Sequence, residues 1–158
     1  MSYNTIKLKK YADVIEEMAA AAVIFPGMLI EMDDAGEVQA HSSAGQCAEK
    51  MFALENELEG ESIDDSYAVD DQVQCWFPGR GDQVYAILAD GESVVIGTKL
   101  ESNGYGYLQE SVAESAGGIT YPGSVVAVSL EAKDLSGSSG EESSGTLGFN
   151  KRIKVRII

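Results

Sequence analysis

The stretch from Asp82 to Leu108, DQVYAILADGESVVIGTKLESNGYGYL, constrains the fold more than any other part of the chain. Apolar and aromatic residues run from Val84 to Leu88, stop at Asp90-Gly91 and resume at Val94, Val95 and Ile96. Asn103-Gly104 then interrupts the pattern ahead of Tyr105, Tyr107 and Leu108. Asp-Gly and Asn-Gly recur at hairpin turns because the tight type I′ turn needs positive φ at both central residues, which glycine adopts without a steric penalty. The stretch predicts a meander of antiparallel strands, each paired with its neighbour in sequence.

The flanking segments extend this pattern. VQCWF, residues 73 to 77, reads as a strand closed by Pro78-Gly79, and Val125 to Leu130 reads as another. MLIEM, residues 28 to 32, alternates into a strand that Asp33-Asp34-Ala35-Gly36 turns back toward Val38, Ala40 and His41, predicting a second hairpin. In MFALENEL, residues 51 to 58, the spacing of Met51, Leu54 and Leu58 suits a helix, but turn signals at Gly60, Asp64-Asp65 and Asp70-Asp71 favour short strands in series. ADVIEEMAAAAVIF places Ile15, Met18, Ala19 and Ala22 at helical spacing, sets Glu16 and Glu17 near the start and ends at Pro26-Gly27. A short helix is the expectation there, with an extended entry into the next strand as the alternative for AAAAVIF. LSGSSGEESSGTLGFN has almost nothing to bury, so a flexible Ser/Gly loop is expected over residues 136–148.

The chain ends are patterned alike. TIKLKKY alternates Ile6 and Leu8 with Lys7 and Lys9, and RIKVRII alternates Ile153, Val155 and Ile157 with Arg152, Lys154 and Arg156. The second reads as a terminal strand tied in by its pattern. The first reads equally as an edge strand of the protein's own sheet or as an arm that orders only on a partner.

Charge follows the same division. Residues 1–10 and 151–158 contain seven Lys and Arg and no acid, whereas residues 11–150 hold 4 basic against 26 acidic side chains, a net of −22. Such a body repels phosphate backbones, which argues against nucleic-acid binding except through an end. Solubility alone accounts for an acidic body, but not for the sorting of charge to the ends. The 158 residues make most simply one domain, able to bury roughly 68–70% of its unfolded surface. No stretch approaches the ~20 apolar residues of a membrane span, and MSYNTIKLKK lacks the apolar core of a signal peptide, so a soluble chain made in the cytoplasm is expected.

Catalytic patterns are few. His41 is the only histidine, and AHSSAG around it contains no nucleophile elbow, so a loop or strand-end role is expected. There is no Walker A motif, and Asp33-Asp34, Asp64-Asp65 and Asp70-Asp71 lack the spacing of a calcium loop. No metal and no cofactor is expected. Cys47 and Cys75 fit no zinc spacing and read as small buried hydrophobes. Arg80-Gly81-Asp82 spells a receptor-recognised tripeptide, but glycine is needed for the turn there. Trp76, Tyr85, Tyr105 and Tyr107 would make a sugar-stacking platform only if they were exposed on one face; packing is the simpler reading.

IKLKKYADVIEEMAAAAVIFPGMLIEM, AHSSAG, MFALENELEGESIDDSYAVDD, PGRGDQVYAILADGESVVIGTKLESNGYGYL, VAVSLEAKDLSGSSG and RIKVRII together carry a resemblance to a known family. Over nearly its whole length the chain resembles the head decoration, or capsid cement, proteins of tailed bacteriophages. That resemblance implies a non-enzymatic virion protein on the capsid exterior. It implies a homotrimer at local three-fold axes, with an N-terminal arm gripping the major capsid protein. Carried onto this chain, the arm is residues 1–11, with Ile6, Lys7, Leu8, Lys9, Lys10 and Tyr11 at the capsid and the rest of the fold separable from it. Residues 12–158 form the decoration domain. The fold expected is mainly β: one compact domain of antiparallel hairpins with a short N-terminal helix and an extended N-terminal arm. The alternative is a secreted or surface β module that binds carbohydrate or a receptor.

Overall fold

A computed structural model describes residues 3–10, 13–112, 123–137 and 151–158. In chain order the strands are β1 (Lys7–Lys9), β2 (Ile15–Ala19), β3 (Ile30–Met32), β4 (Val38–Ala40), β5 (Phe52–Ala53), β6 (Gln72–Trp76) and β7 (Gln83–Ile87). β8 (Ser93–Val94), β9 (Lys99–Ser102), β10 (Leu108–Glu110), β11 (Val125–Ser129), β12 (Lys133–Asp134) and β13 (Arg152–Ile157) follow. Every pair of strands is antiparallel.

Six strands form the main sheet, in the order β1-β7-β13-β11-β9-β10. β13 is the longest strand and lies inside the sheet. It pairs with β7 from Arg152↔Ile87 to Arg156↔Gln83, and with β11 from Ala127↔Ile157 to Ser129↔Val155. Its Ile153, Val155 and Ile157 are fully buried, as an alternating β-branched strand requires, and they pack in one cluster with Ile6, Val84, Ala86, Leu100 and Val126. The three-stranded sheet β2-β6-β5 and the β3–β4 hairpin enclose a second cluster, in which Ile24, Ile30, Met51, Tyr67 and Cys75 meet Ile87 of the main sheet. Each large side chain sealed in this way contributes roughly 1.5–3 kcal/mol. Ile87 alternates with Ala86, so β7 faces both clusters and joins the two layers.

The expected N-terminal helix does not form, and no helix occurs among the described residues. Ile15–Ala19 instead pairs residue for residue with Gln72–Trp76, and beyond it Ala20 and Ile24 form isolated bridges to Val38 and Tyr67. A lone helix of a few turns is marginal in water because its nucleus is costly, whereas β6 presents an edge that the segment can join over five residues. AAAAVIF is not helical; it bends at Ala21 and Ala22 between the isolated bridges of Ala20 and Ile24.

The meander is realised in part. Asn103-Gly104 lies in the loop of a β9–β10 hairpin, where Gly104 and Gly106 have φ of 86° and 79° and the Asn103 Oδ1 accepts the amides of Tyr105 and Tyr107. The hairpin expected across Asp90-Gly91 is absent. β7 has β1 and β13 on its two sides, so the turn delivers β8 to β12 instead. The β3–β4 hairpin forms as expected, with the Asp33 Oδ1 accepting the amides of Ala35 and Glu37. Phe52–Ala53 is a strand, the reading favoured for its segment. The two cysteines differ: Cys75 is fully buried, which pushes its thiol up to about 12, whereas Cys47 is exposed, contrary to expectation. Of the Ser/Gly loop over 136–148, residues 138–148 lie outside the described residues.

Candidate functional site

The N-terminal segment is an edge strand of the protein's own sheet. Ile6 is fully buried; its carbonyl accepts the Tyr85 amide at 2.8 Å and its amide donates to the Glu55 Oε2 at 3.1 Å. Glu55 is buried as well, and its Oε1 has no hydrogen-bond partner among the described residues. Lys7 pairs with Val84 and Lys9 with Gln83, with an irregularity between them, while Leu8 packs half-buried against the core. The Lys7 Nζ lies 3.9 Å from the Asp13 carboxylate, which the Lys10 ammonium also contacts. The hydrogen bond from Lys10 holds the Asp13 carboxyl below its ordinary range. Tyr3 sits edge-on to Tyr85, with ring centroids 5.3 Å apart, and the Lys154 Nζ lies 5.8 Å from the Tyr3 ring centre. Ile6, Lys7, Leu8, Lys9 and Lys10 are thus gathered along one sheet edge; Tyr11 lies outside the described residues.

The terminal bases divide into partnered and displayed groups. Lys151 is buried and pairs with Asp90, whose side chain is largely covered. Arg152, 2% exposed, donates from Nε and Nη2 to the Pro26 carbonyl at 3.1 and 3.0 Å, from Nη2 also to the Ile63 carbonyl, and from Nη1 to the Asp64 Oδ1 at 3.0 Å. Gly27 makes this possible: at φ 93°, a Cβ there would stand 2.9 Å from the Tyr85 carbonyl and 3.3 Å from the Arg152 Nε. The sequence pattern puts Arg152 on a basic outer face, and the structure buries it. That face is covered where Pro26–Gly27 and Ile63 lie over it.

The other candidate residues have structural occupations. The His41 Nδ1 lies 2.7 Å from the Ser102 Oγ, and its Nε2 lies 3.7 Å from the Glu31 carboxylate. The order Glu, His, Ser resembles a hydrolytic relay. Yet Ser102 is fully buried and its Oγ already accepts the Gly104 amide, so no substrate carbonyl can reach it. Ser42, through its amide and hydroxyl, and Gln39 occupy Glu31. Sequence reading had no signal for Ser102, which lies 61 residues from His41. Within Arg80-Gly81-Asp82 the aspartate is 1% exposed, with its carboxylate accepting the Gly79 amide at 2.8 Å. Trp76, Tyr85 and Tyr107 are buried and only Tyr105 is open, so these four make no aromatic platform. Of the acidic pairs, Asp33, Asp65 and Asp71 close turns on nearby amides, and Asp64 binds Arg152. A shallow groove lined by Glu17, Leu58, Glu59, Asp70, Asp71 and Gln74 is acidic, and no cluster of metal-ligand type occurs among the described residues.

No family model and no curated protein matches this chain. The fold is similar to that of the N base of head fiber gp8.5 of bacteriophage phi29. The likeness has a TM-score of 0.54 at 12% identity and covers 93% of this chain and 95% of that one.

Proposed function

We propose that this chain is a structural protein of a tailed-phage virion that binds the outer surface of the expanded head and stabilises it. In this reading it acts as a homotrimer at local three-fold axes, bridging neighbouring capsomers of the major capsid protein. The supporting observation is the fold shared, over nearly the full length of both chains, with the N base of a phage head fiber. The contact is made by the N-terminal strand, with Lys7, Lys9 and Lys10 toward acidic capsid surface and the strand outermost in its sheet among the described residues. Because Ile6 is a core residue, the strand docks in place and is not a freely swinging arm. Three such edges in one trimer raise apparent affinity by about 10²–10⁴ where geometry lets them engage together.

The alternative, a carbohydrate or receptor module, has lost the residues it would use, because Asp82 and three of the four aromatics are buried. Co-sedimentation with expanded heads that lack decoration tests the proposal. Saturable pelleting with a rise in the temperature at which heads break is expected. Recovery in the supernatant at every ionic strength would overturn it.

A further inference from the structure

The register of the main sheet brings three exposed bases from distant parts of the sequence into one row. Lys9 pairs with Gln83, Gln83 with Arg156, Arg156 with Val128 and Val128 with Lys99. Directly paired residues of antiparallel strands place their side chains on the same face, so the five positions cross β1, β7, β13, β11 and β9 in a line. At about 4.8 Å per strand, the three backbone positions stand roughly 10 Å apart over roughly 19 Å.

The face shared by Arg152, Lys154 and Arg156 passes from buried to open along β13. Arg152 is sealed under Pro26 and Ile63, Lys154 is half-buried beneath the Tyr3 ring, and Arg156 is exposed. Lys99 is exposed also, and neither it nor Arg156 makes an ion pair among the described residues. The nearby Glu101 carboxylate is nearly buried and is held by the hydroxyls of Ser111 and Ser124 and the amide of Gln109. Arg156 and Lys99 are therefore not spent inside the fold, in a body whose net charge is −22 between residues 11 and 150.

We infer that this row is a docking face for an acidic protein surface, and that on the head it meets acidic residues of the capsid subunit. The inference rests on the proposed function and enlarges its contact beyond the N-terminal strand. The occupant follows from charge complementarity. Three cations spaced along a sheet suit carboxylates on a folded surface, whereas the surrounding acidic body opposes a long phosphate polymer.

The test uses the full chain with Lys99→Gln and Arg156→Gln combined, two exposed positions outside the N-terminal strand. The charge-conserving Lys99→Arg, Arg156→Lys pair serves as control. On undecorated expanded heads of the virus that encodes the chain, the Gln pair should need about tenfold more protein for half-saturation and show a flatter salt dependence, while the control binds as wild type. Equal binding by the Gln pair would overturn the row and leave the proposed function standing. If wild type itself fails to pellet, the proposed function falls, and binding of fluorescent poly-L-glutamate at low salt decides the row by itself. Binding by wild type and not by the Gln pair would support it; equal or absent binding would overturn it. Preference for double-stranded DNA over poly-L-glutamate would overturn the assignment of a protein partner.

Discussion

β1 and β13 have nearly the same sequence pattern, apolar residues alternating with Lys or Arg, and the fold uses them differently. β13 lies between two strands, so its backbone is paired on both sides, and burial reaches round to its basic face, where Arg152 becomes part of the interior. β1 is outermost, three residues long and irregular in register, with Lys9 exposed and Lys7 near Asp13, which the adjoining Lys10 also contacts. Lysines and a bulge on an edge are devices that keep exposed edges from pairing at random. The same pattern therefore serves stability in the centre and selective contact at the edge.

Substitutions can break this contrast. The largest effect is expected for Arg152→Met, which strands the Pro26 and Ile63 carbonyls and leaves Asp64 without its partner; a loss of about 3–5 kcal/mol should appear in urea denaturation. A variant as stable as wild type would show that the buried guanidinium contributes nothing net. Truncating the apolar side of each strand comes next. Ile153→Ala should fall in the upper half, and Ile6→Ala in the lower half, of the roughly 2–5 kcal/mol span for such cavities, because an edge segment can relax into the space. Equal losses would mean that the edge is packed as firmly as the centre.

Smaller effects sharpen the edge itself. Glu55→Leu removes the acceptor of the Ile6 amide and should cost about 1–3 kcal/mol, toward the lower end because a half-partnered buried carboxylate goes with it. Amide exchange at Ile6 should quicken in this variant, and unchanged protection would show that the Glu55 carboxylate does not hold the Ile6 amide. The smallest effect is expected for Lys10→Met, worth at most about 1 kcal/mol at neutral pH. The Asp13 carboxyl titrates below its unfolded value when Lys10 is present, so this contribution exists above the ordinary carboxylate range and fades as pH falls through the folded value. Melting curves of wild type and variant should differ slightly at pH 7 and coincide once Asp13 is protonated; a gap that persists in acid would assign the effect to packing.

Much of the fold was legible because it is local. Asn103-Gly104 and Asp33-Asp34-Ala35-Gly36 lie in the loops they predict, since a hairpin needs only its own turn and two flanking strands. The same rule failed at Asp90-Gly91, where the turn exists but the competing strands β1 and β13, remote in sequence, occupy both sides of β7. Ile15–Ala19 failed for a related reason: helical spacing describes what a segment can do alone, and β6 offered it a longer set of partners. The candidate site was legible at its N-terminal half, through the alternation of Ile6 and Leu8 with lysines. Lys99 was invisible as a member, because nothing near TKLES indicates which strand will lie two places away.

By itself the sequence determined that the chain is mainly β, where most of its strands run, and that its positive charge is sorted to the two ends, because turn chemistry, alternation and charge are properties of neighbouring residues. Only the tertiary structure decided which end lies at the edge and which in the centre, which bases pair with Asp13, Asp90 and Asp64, and that Lys9, Arg156 and Lys99 share a row. Strand order and register are set by which apolar faces can be buried together, a contest among segments up to about 150 residues apart that no local pattern records.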